Sequence, residues 1–303
     1  RLIFTYNDEH GRPVGFIGRN LEYDGIKDPE THQYYKGPKY VFNKSPSIGI
    51  KILKKEQRLY LFDKARKSES STLYIVEGQP DSISFHYNGY DNFVSLSGTS
   101  MTLEHFELLR RHGVYDVVIC LDNDSPGQKA AESLIEAILK HVNDIRVRFM
   151  FLPMINDEKI DPDLMVRDGR SNEFFDLPKV SPFDFTLNKI VTEFEDSDPE
   201  FICNKVLPVI VSDPSSIRRE TMISTLSSVT GISERALKDE LKRLLENKDQ
   251  KVIKLKKDIV DRLSNKISNI DSTNEVEALL SETLESFRQI DKEASSETLE
   301  PKT

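Results

Sequence analysis

The chain has 303 residues and a mass of 34.8 kDa, room for two or three domains. Hydrophobic residues make up 37%, enough for a core, yet no apolar run approaches the ~18 residues that a membrane span needs. Its two cysteines, Cys120 and Cys203, lie far apart, which excludes a disulfide-stapled secreted fold and a cysteine-based zinc site. With no signal peptide and with Arg1 rather than Met at its start, the sequence reads as a cytosolic chain, or a piece of a longer one. The net charge of −9 first argues against nucleic acid, but the charge is uneven. Residues 1–70 hold 14 Lys+Arg against 9 Asp+Glu, a net of +5, and the rest hold 28 against 42, a net of −14. A basic N-terminal face can therefore coexist with an acidic total. The plain alternative is that these cations only solvate a surface.

In chain order, residues 2–6 and 14–18 predict two short strands around the polar turn NDEHGRP. Residues 20–50, rich in Gly, Pro, Tyr and Lys, predict a long irregular excursion, and 58–67 a short helix. Strand and helix then alternate. Leu73–Glu77 is an apolar run ending in an acid, 80–88 a helix, Phe93–Ser95 a strand, and 102–112 a helix. Asp116–Asp122 is a continuous apolar run of the kind buried on both faces. A helix over 126–141, with Ala130, Leu134, Ile138 and Leu139 at helical spacing, precedes a strand at 145–152 and a polar loop through Asp163. This alternation predicts a parallel α/β sheet. From about residue 183 the pattern turns helical, with a helix pair in 215–247 and Ser233 placed as an N-cap. Residues 248–303 are Lys/Glu/Ser-rich with weak heptad character and end in a polar tail that reads as disordered.

Acids fall at or just past the predicted strand ends: Glu77 in VEGQPD with Asp81 four residues on, Asp122 and Asp124 in LDNDSPG, and Asp161 and Asp163 in IDPD. Sites of open α/β sheets form there, at the carboxyl ends of the strands. Three converging acidic clusters repel one another unless a cation neutralises them, and carboxylates without His or Cys suit Mg²⁺ or Mn²⁺ rather than zinc. Gly127 and the helix at 126–141 add a helix N-terminus able to favour a phosphate. Singly, each of these acids is an ordinary cap or turn residue, and Asp81 could merely complement its helix dipole.

VEGQPD, LDNDSPGQKAA and FLPMINDEKIDPDLMVRDG together resemble the TOPRIM domain shared by DnaG-type primases, topoisomerases and some nucleases. The flanking RLIFTYNDEHGRPVGFIGRN, GPKYVFNKSP and KKEQRLYLFDKARK, with SLSGTSMT, resemble bacterial and phage DnaG-type primases, over roughly residues 1–175. The resemblance implies a TOPRIM parallel-sheet domain at 71–175, preceded by a small mixed basic subdomain at 1–70 and followed by a helical subdomain at 183–247. A charged helical linker and tail over 248–303 would complete the chain. It implies short RNA primers made on single-stranded DNA by metal-dependent transfer of ribonucleoside triphosphates. Glu77, Asp122 and Asp124 are then the catalytic acids, and Glu77, Asp81, Asp122, Asp124, Asp161 and Asp163 the Mg²⁺ or Mn²⁺ site. Whether Glu77 is a ligand or a general base stays open. Arg1, Arg19, Lys39, Asn43 and Lys55 would line a groove for template and nucleotide. Tyr34, Tyr35 and Tyr40 among those lysines would stack on bases or simply pack their loop.

DND replaces the commoner DGD, Pro80 sits inside VEGQPD, and an insertion separates Pro38–Ser45 from Lys55. The family's zinc-binding module and the front of its catalytic core are expected to be missing, so no zinc is expected in this chain. A replicative DnaB-type helicase is a partner by family inference alone, and no membrane is expected. The alternatives are a TOPRIM nuclease and an inactive DNA-binding fragment. A topoisomerase would need a nucleophilic Tyr in a winged-helix context and a larger DNA gate than this length allows.

Overall fold

The computed structural model describes residues 1–29, 31–33, 36–42, 57–96, 100–122, 125–142, 144–155, 158–160, 162–267 and 281–288. The chain divides into two compact units, residues 1–134 with 144–181, and residues 135–143 with 182–303.

The first unit opens with the expected hairpin, strands β1 (Leu2–Asn7) and β2 (Pro13–Arg19). Its turn is tied by Asp8, whose Oδ1 accepts from the His10 and Arg12 amides at 2.9 Å while Oδ2 pairs with Arg12 at 2.7 Å. A third strand, β3 (Tyr40–Phe42), adds to the far edge of β2 and sets Tyr40 opposite Arg19. It falls inside the stretch expected to be irregular, because its pairing is with a strand twenty positions away. The helix expected at 58–67 shrinks to α1 (Phe62–Ala65). Leu61 turns into the left-handed region at φ 65°, and Tyr60 instead forms an antiparallel bridge with Ser95.

Alternation then proceeds through β4 (Leu73–Val76), α2 (Gln79–Tyr87), β5 (Phe93–Ser95), α3 (Leu103–Arg111), β6 (Asp116–Asp122), α4 (Ser125–His141) and β7 (Arg146–Leu152). The strands form one parallel sheet in the order β5-β4-β6-β7. Every residue of β4 and β5 is buried, as is β6 up to Leu121, which explains their unbroken apolar runs. On one face the rings of Tyr74, Phe85, Phe93 and Phe174 pack together, with Phe85 stacked on Phe93 at 3.7 Å between centroids. Beyond β7, the loop expected through Asp163 instead holds a two-stranded ribbon, β8 (Met154–Ile155) with β9 (Glu158–Lys159), and then helix α5 (Pro162–Arg167). Helix α6 (Ser171–Asp176) supplies Phe174 to the aromatic cluster.

The second unit packs α7 (Pro182–Glu193), α8 (Pro199–Ser212), α9 (Ser216–Thr230) and α10 (Glu234–Ile267). Helix α9 ends at Gly231, φ 74°, and Ser233 accepts the Ala236 amide at 3.4 Å as the expected cap of α10. Residues 281–288 are helical, and the tail from 289 onward lies outside the described residues. Among the described residues no helix is long and apolar enough to cross a membrane.

Candidate active site

Parallel β4 and β6 are adjacent, so residues at their carboxyl ends share one edge of the sheet. Glu77 follows the last residue of β4 and is exposed, and Asp122 closes β6 half-buried. The chain turns sharply after Glu77 at Gly78, and α2 begins one residue later with Pro80 in its first turn. Pro fits there because its missing N–H would have no partner. Asp81, in the same turn, accepts the Gly78 amide at 3.1 Å. This N-cap bond is one use of Asp81, and the carboxylate still faces the same edge.

After β6 the chain must fold back at once into α4. Gly127 makes this possible: a methyl at its position would run into the carbonyl oxygen of Asp122. The close approach sets the N-terminus of α4, the positive end of its dipole, beside Asp122.

A cavity of about 410 Å³ opens at this edge. Glu77, Asp81, Asp122 and Asp163 line it, and so do Arg19 at the end of β2 and Lys39 just before β3. One wall is thus acidic, contributed by the ends of β4 and β6 and by α2 and α5, and another is cationic, contributed by the end of β2 and the residue before β3. Asp163 also pairs with Arg167 at 2.9 Å. Lys39 stands 6.0 Å from the ring centroid of Tyr40, which lines the cavity too.

The other expected residues are placed differently. Arg1 is exposed and its guanidinium donates to the Pro38 carbonyl at 3.4 Å, beside Lys39 but outside the cavity lining. Asn43, Lys55, Asp124, Asp161, Tyr34 and Tyr35 lie outside the described residues. Among the described residues no three His, Cys, Asp or Glu side chains meet closely enough to hold a metal ion. The donor chemistry nonetheless fits a hard divalent cation, since the acids of the cavity are all carboxylates.

Gln79 and Cys120 line the cavity although the sequence reading did not place them at the site. Gln79 is 2% exposed and donates from Nε2 to the Tyr6 hydroxyl at 3.1 Å. Its position directly after the Glu-Gly turn, where a polar residue opens a helix, was the only signal. Cys120 lies under the cavity floor, and burial pushes its thiol well above the usual range, so it behaves as an apolar residue.

Comparisons with known proteins place these features. The Toprim-like family matches residues 74–164, the span from β4 to α5. A DNA primase of Clostridium acetobutylicum is 30% identical over 262 residues, covering 85% of this chain and 40% of the relative. That of Escherichia coli K12 is 29% identical over 256 residues, covering 81% and 39%. The chain thus spans about 40% of the length of the curated relatives it matches. Among solved structures, a DNA primase domain from Pseudomonas aeruginosa superposes with a TM-score of 0.62 at 27% identity, covering 80% of this chain and 71% of that one. A DnaG catalytic core gives 0.60 at 26%, covering 78% and 72%, and a DnaG primase catalytic domain bound to single-stranded DNA gives 0.58 at 26%, covering 75% and 69%. By sequence and by fold, the chain is a relative of the DnaG-type primases, built as a primase catalytic core around a Toprim-like domain.

Proposed function

We propose that this chain carries the nucleotidyl-transfer site of a DNA primase, extending an RNA primer with ribonucleoside triphosphates on a single-stranded DNA template. The observation that carries the reading is the pairing of four carboxylates with Arg19 and Lys39 around one cavity. Phosphoryl chemistry of this kind needs both: anionic ligands for a cation and fixed positive charge for phosphates. Glu77, Asp122 and Asp81 would hold a divalent cation, Mg²⁺ or Mn²⁺, with Asp124, Asp161 and Asp163 as further ligands by resemblance, and it would neutralise the phosphates and activate the attacking hydroxyl.

The chain's own groups do the rest. Arg19 and Lys39 hold triphosphate or template oxygens, Arg19 with the fork geometry that matches phosphate. The α4 N-terminus beside Asp122 adds backbone dipole toward the same anion. Glu77, exposed at its strand end, accepts the hydroxyl proton or shares in holding the cation, and the pH profile of Glu77→Gln separates the two. By resemblance, Arg1, Asn43 and Lys55 are further contacts to template or nucleotide. Template contacts made through phosphates are sequence-tolerant and salt-sensitive. A replicative DnaB-type helicase is the protein partner that the relationship implies.

The test is incorporation of labelled ribonucleotide on a template carrying a pre-annealed primer, with Mg²⁺ or Mn²⁺, comparing the chain with Asp122→Ala. Incorporation that disappears in the variant is the expected result. Asp122-dependent cleavage of the DNA without incorporation would replace the reading with a nuclease. Absence of both activities would leave a DNA-binding fragment.

A further inference from the structure

The acidic wall of the cavity is built on the parallel sheet and the helices that flank it, the cationic wall on the three-stranded sheet, and a closed circuit of buried contacts joins the two. Tyr6 of β1 is 1% exposed, and its hydroxyl takes the Gln79 amide at 3.1 Å. Gln79 opens α2, two residues after Glu77. Its carbonyl accepts the Ser82 hydroxyl at 3.0 Å, and Ser82 lies 3.3 Å from the hydroxyl of Ser95, both side chains fully buried. Ser95 is bridged through its backbone to Tyr60, with N···O distances of 2.9 and 3.2 Å. The Tyr60 ring closes the circuit on the Tyr6 ring, 5.0 Å between centroids.

Apolar contact alone would hold these sheets together, because Phe4 already packs edge-on against Tyr60. Apolar packing is non-directional and tolerates sliding. A buried hydrogen bond does not, since it is lost outside a narrow range of distance and angle and leaves a desolvated donor behind. A phenol at Tyr6 therefore does something that a phenyl ring would not. Burial also pushes its ionisation far above the ordinary value, so the hydroxyl stays protonated at every working pH.

We propose that the Tyr6–Gln79 hydrogen bond is a positioning device that fixes the span between the cationic wall, Arg19 and Lys39, and the acidic wall at Glu77. Tyr6 is paired with Gly15 of β2, and β2 runs four residues on to Arg19, roughly 14 Å at the rise of an antiparallel strand. A small tilt of the hairpin at Tyr6 is thereby carried to the guanidinium. Gln79 sits on the opposite side of the bond, directly behind the turn that aims Glu77. Neither residue is a catalytic residue, and both act through the groups they hold.

The inference rests on the reading of the cavity as a nucleotidyl-transfer site, and the test separates the two. The intact chain, Tyr6→Phe, Arg19→Ala and the double variant are compared for ribonucleotide incorporation on a pre-annealed primer, with Lys39→Ala as a second background. The expected result is that Tyr6→Phe lowers kcat about tenfold with a small change in KM. In the Arg19→Ala and Lys39→Ala backgrounds the same substitution should cost less than about twofold, because the group it positions is gone. Gln79→Met, which removes the bond from the other side, should reproduce the kcat loss. All variants are assayed below their measured unfolding temperatures. Equal losses in every background, or an unchanged kcat in Tyr6→Phe or Gln79→Met, would overturn the proposal and leave the bond a stabilising contact only. No incorporation by the intact chain would instead refute the transfer reading, and the positioning role with it.

Discussion

Gly127→Ala tests whether the close approach of α4 to β6 builds the site. The added methyl would collide with the carbonyl oxygen of Asp122, and the carbonyl carbon and amide nitrogen of the same residue stand only 3.0 and 3.3 Å away. Carbon atoms rest at about 3.5–4.0 Å, so the helix and the strand end must part by at least about 0.5 Å. The obstacle cannot swing aside as a side chain would. It is the backbone of a strand paired with β7 along its whole length, up to Asp122 opposite Leu152. Overpacking of this kind costs about 1–3 kcal/mol, which for a unit of this size lowers Tm by about 2–12 °C. The helix N-terminus and the Asp122 carboxylate move apart in the process, and displacements approaching 1 Å at a reacting centre cost up to about 10²-fold in rate. Gly78→Ala is the control. Its methyl would meet Asp81 Oδ2 at 2.8 Å, a carboxylate that can rotate away at the expense of one N-cap bond of about 1 kcal/mol. Thermal unfolding of the two variants should rank Gly127→Ala as the more damaging, while primer extension should fall in both, because Gly78→Ala displaces the Asp81 carboxylate at the site. Wild-type Tm and rate in Gly127→Ala, or the opposite ranking of Tm, would refute the argument.

Three further outcomes are expected. Phe85→Ala empties the centre of the aromatic cluster, where Phe85 is fully buried against Phe93 and Phe174, and should cost about 3–5 kcal/mol in denaturant unfolding; a loss below about 1 kcal/mol would contradict the packing. Burial pushes the Asp116 carboxyl up, but hydrogen bonds from Arg146, Thr72 and Arg148 outweigh it and hold the group below its ordinary 3.8. A depressed folded value means that the stability is complete above the ordinary value and is lost as pH falls below it. The stability lead of wild type over Asp116→Asn should therefore hold from neutral pH down to about pH 5 and shrink as the pH falls on through the ordinary 3.8 toward about pH 2, and a constant gap down to about pH 2 would count against the network. Arg19→Ala and Lys39→Ala should each weaken single-stranded DNA binding in fluorescence anisotropy and flatten the slope of log K against log salt by about 0.7, with unchanged slopes telling against phosphate contacts at these residues.

What the sequence made legible followed from where each segment buries its side chains. DVVICLD reads as a strand because β6 is covered on both faces, and LYIV and FVS read the same way. The acids at their ends were visible because strand polarity alone tells which end of a parallel sheet collects them. Segments decided by distant partners were not legible. RLYLFDKARK has helical spacing, yet Tyr60 bonds to Ser95 and the helix starts only after Leu61. YVF is only three residues long, too short to announce a strand, and becomes β3 through its pairing with β2. PDLMVR and SNEFFD are helices six residues long, too short to show periodicity. Within the fourth helix, Ala131 rather than the expected Ala130 is the residue fully buried.

The same division runs through the site. Glu77, Asp81, Asp122 and Asp163 stand out locally, each by its position relative to a strand or helix end. Arg19 and Lys39 do not. Nothing in GFIGRN or GPKYVF sets those cations apart from the other twelve in residues 1–70, and the resemblance to primases singled them out. Their significance is a matter of tertiary placement: strand pairing puts Arg19 opposite Tyr40, beside Lys39, and the two sheets bring that edge over the acids. Gln79 is the extreme case. Its partner lies 73 positions away, and its buried amide becomes intelligible only when Tyr6 is seen to receive it. The net charge of −9 misleads for the same reason, because a phosphate entering the cavity meets the field of the nearest side chains. Within a Debye length of about 8–10 Å, that field is set by two cations and four carboxylates, whose charges sum to zero once a divalent cation joins them.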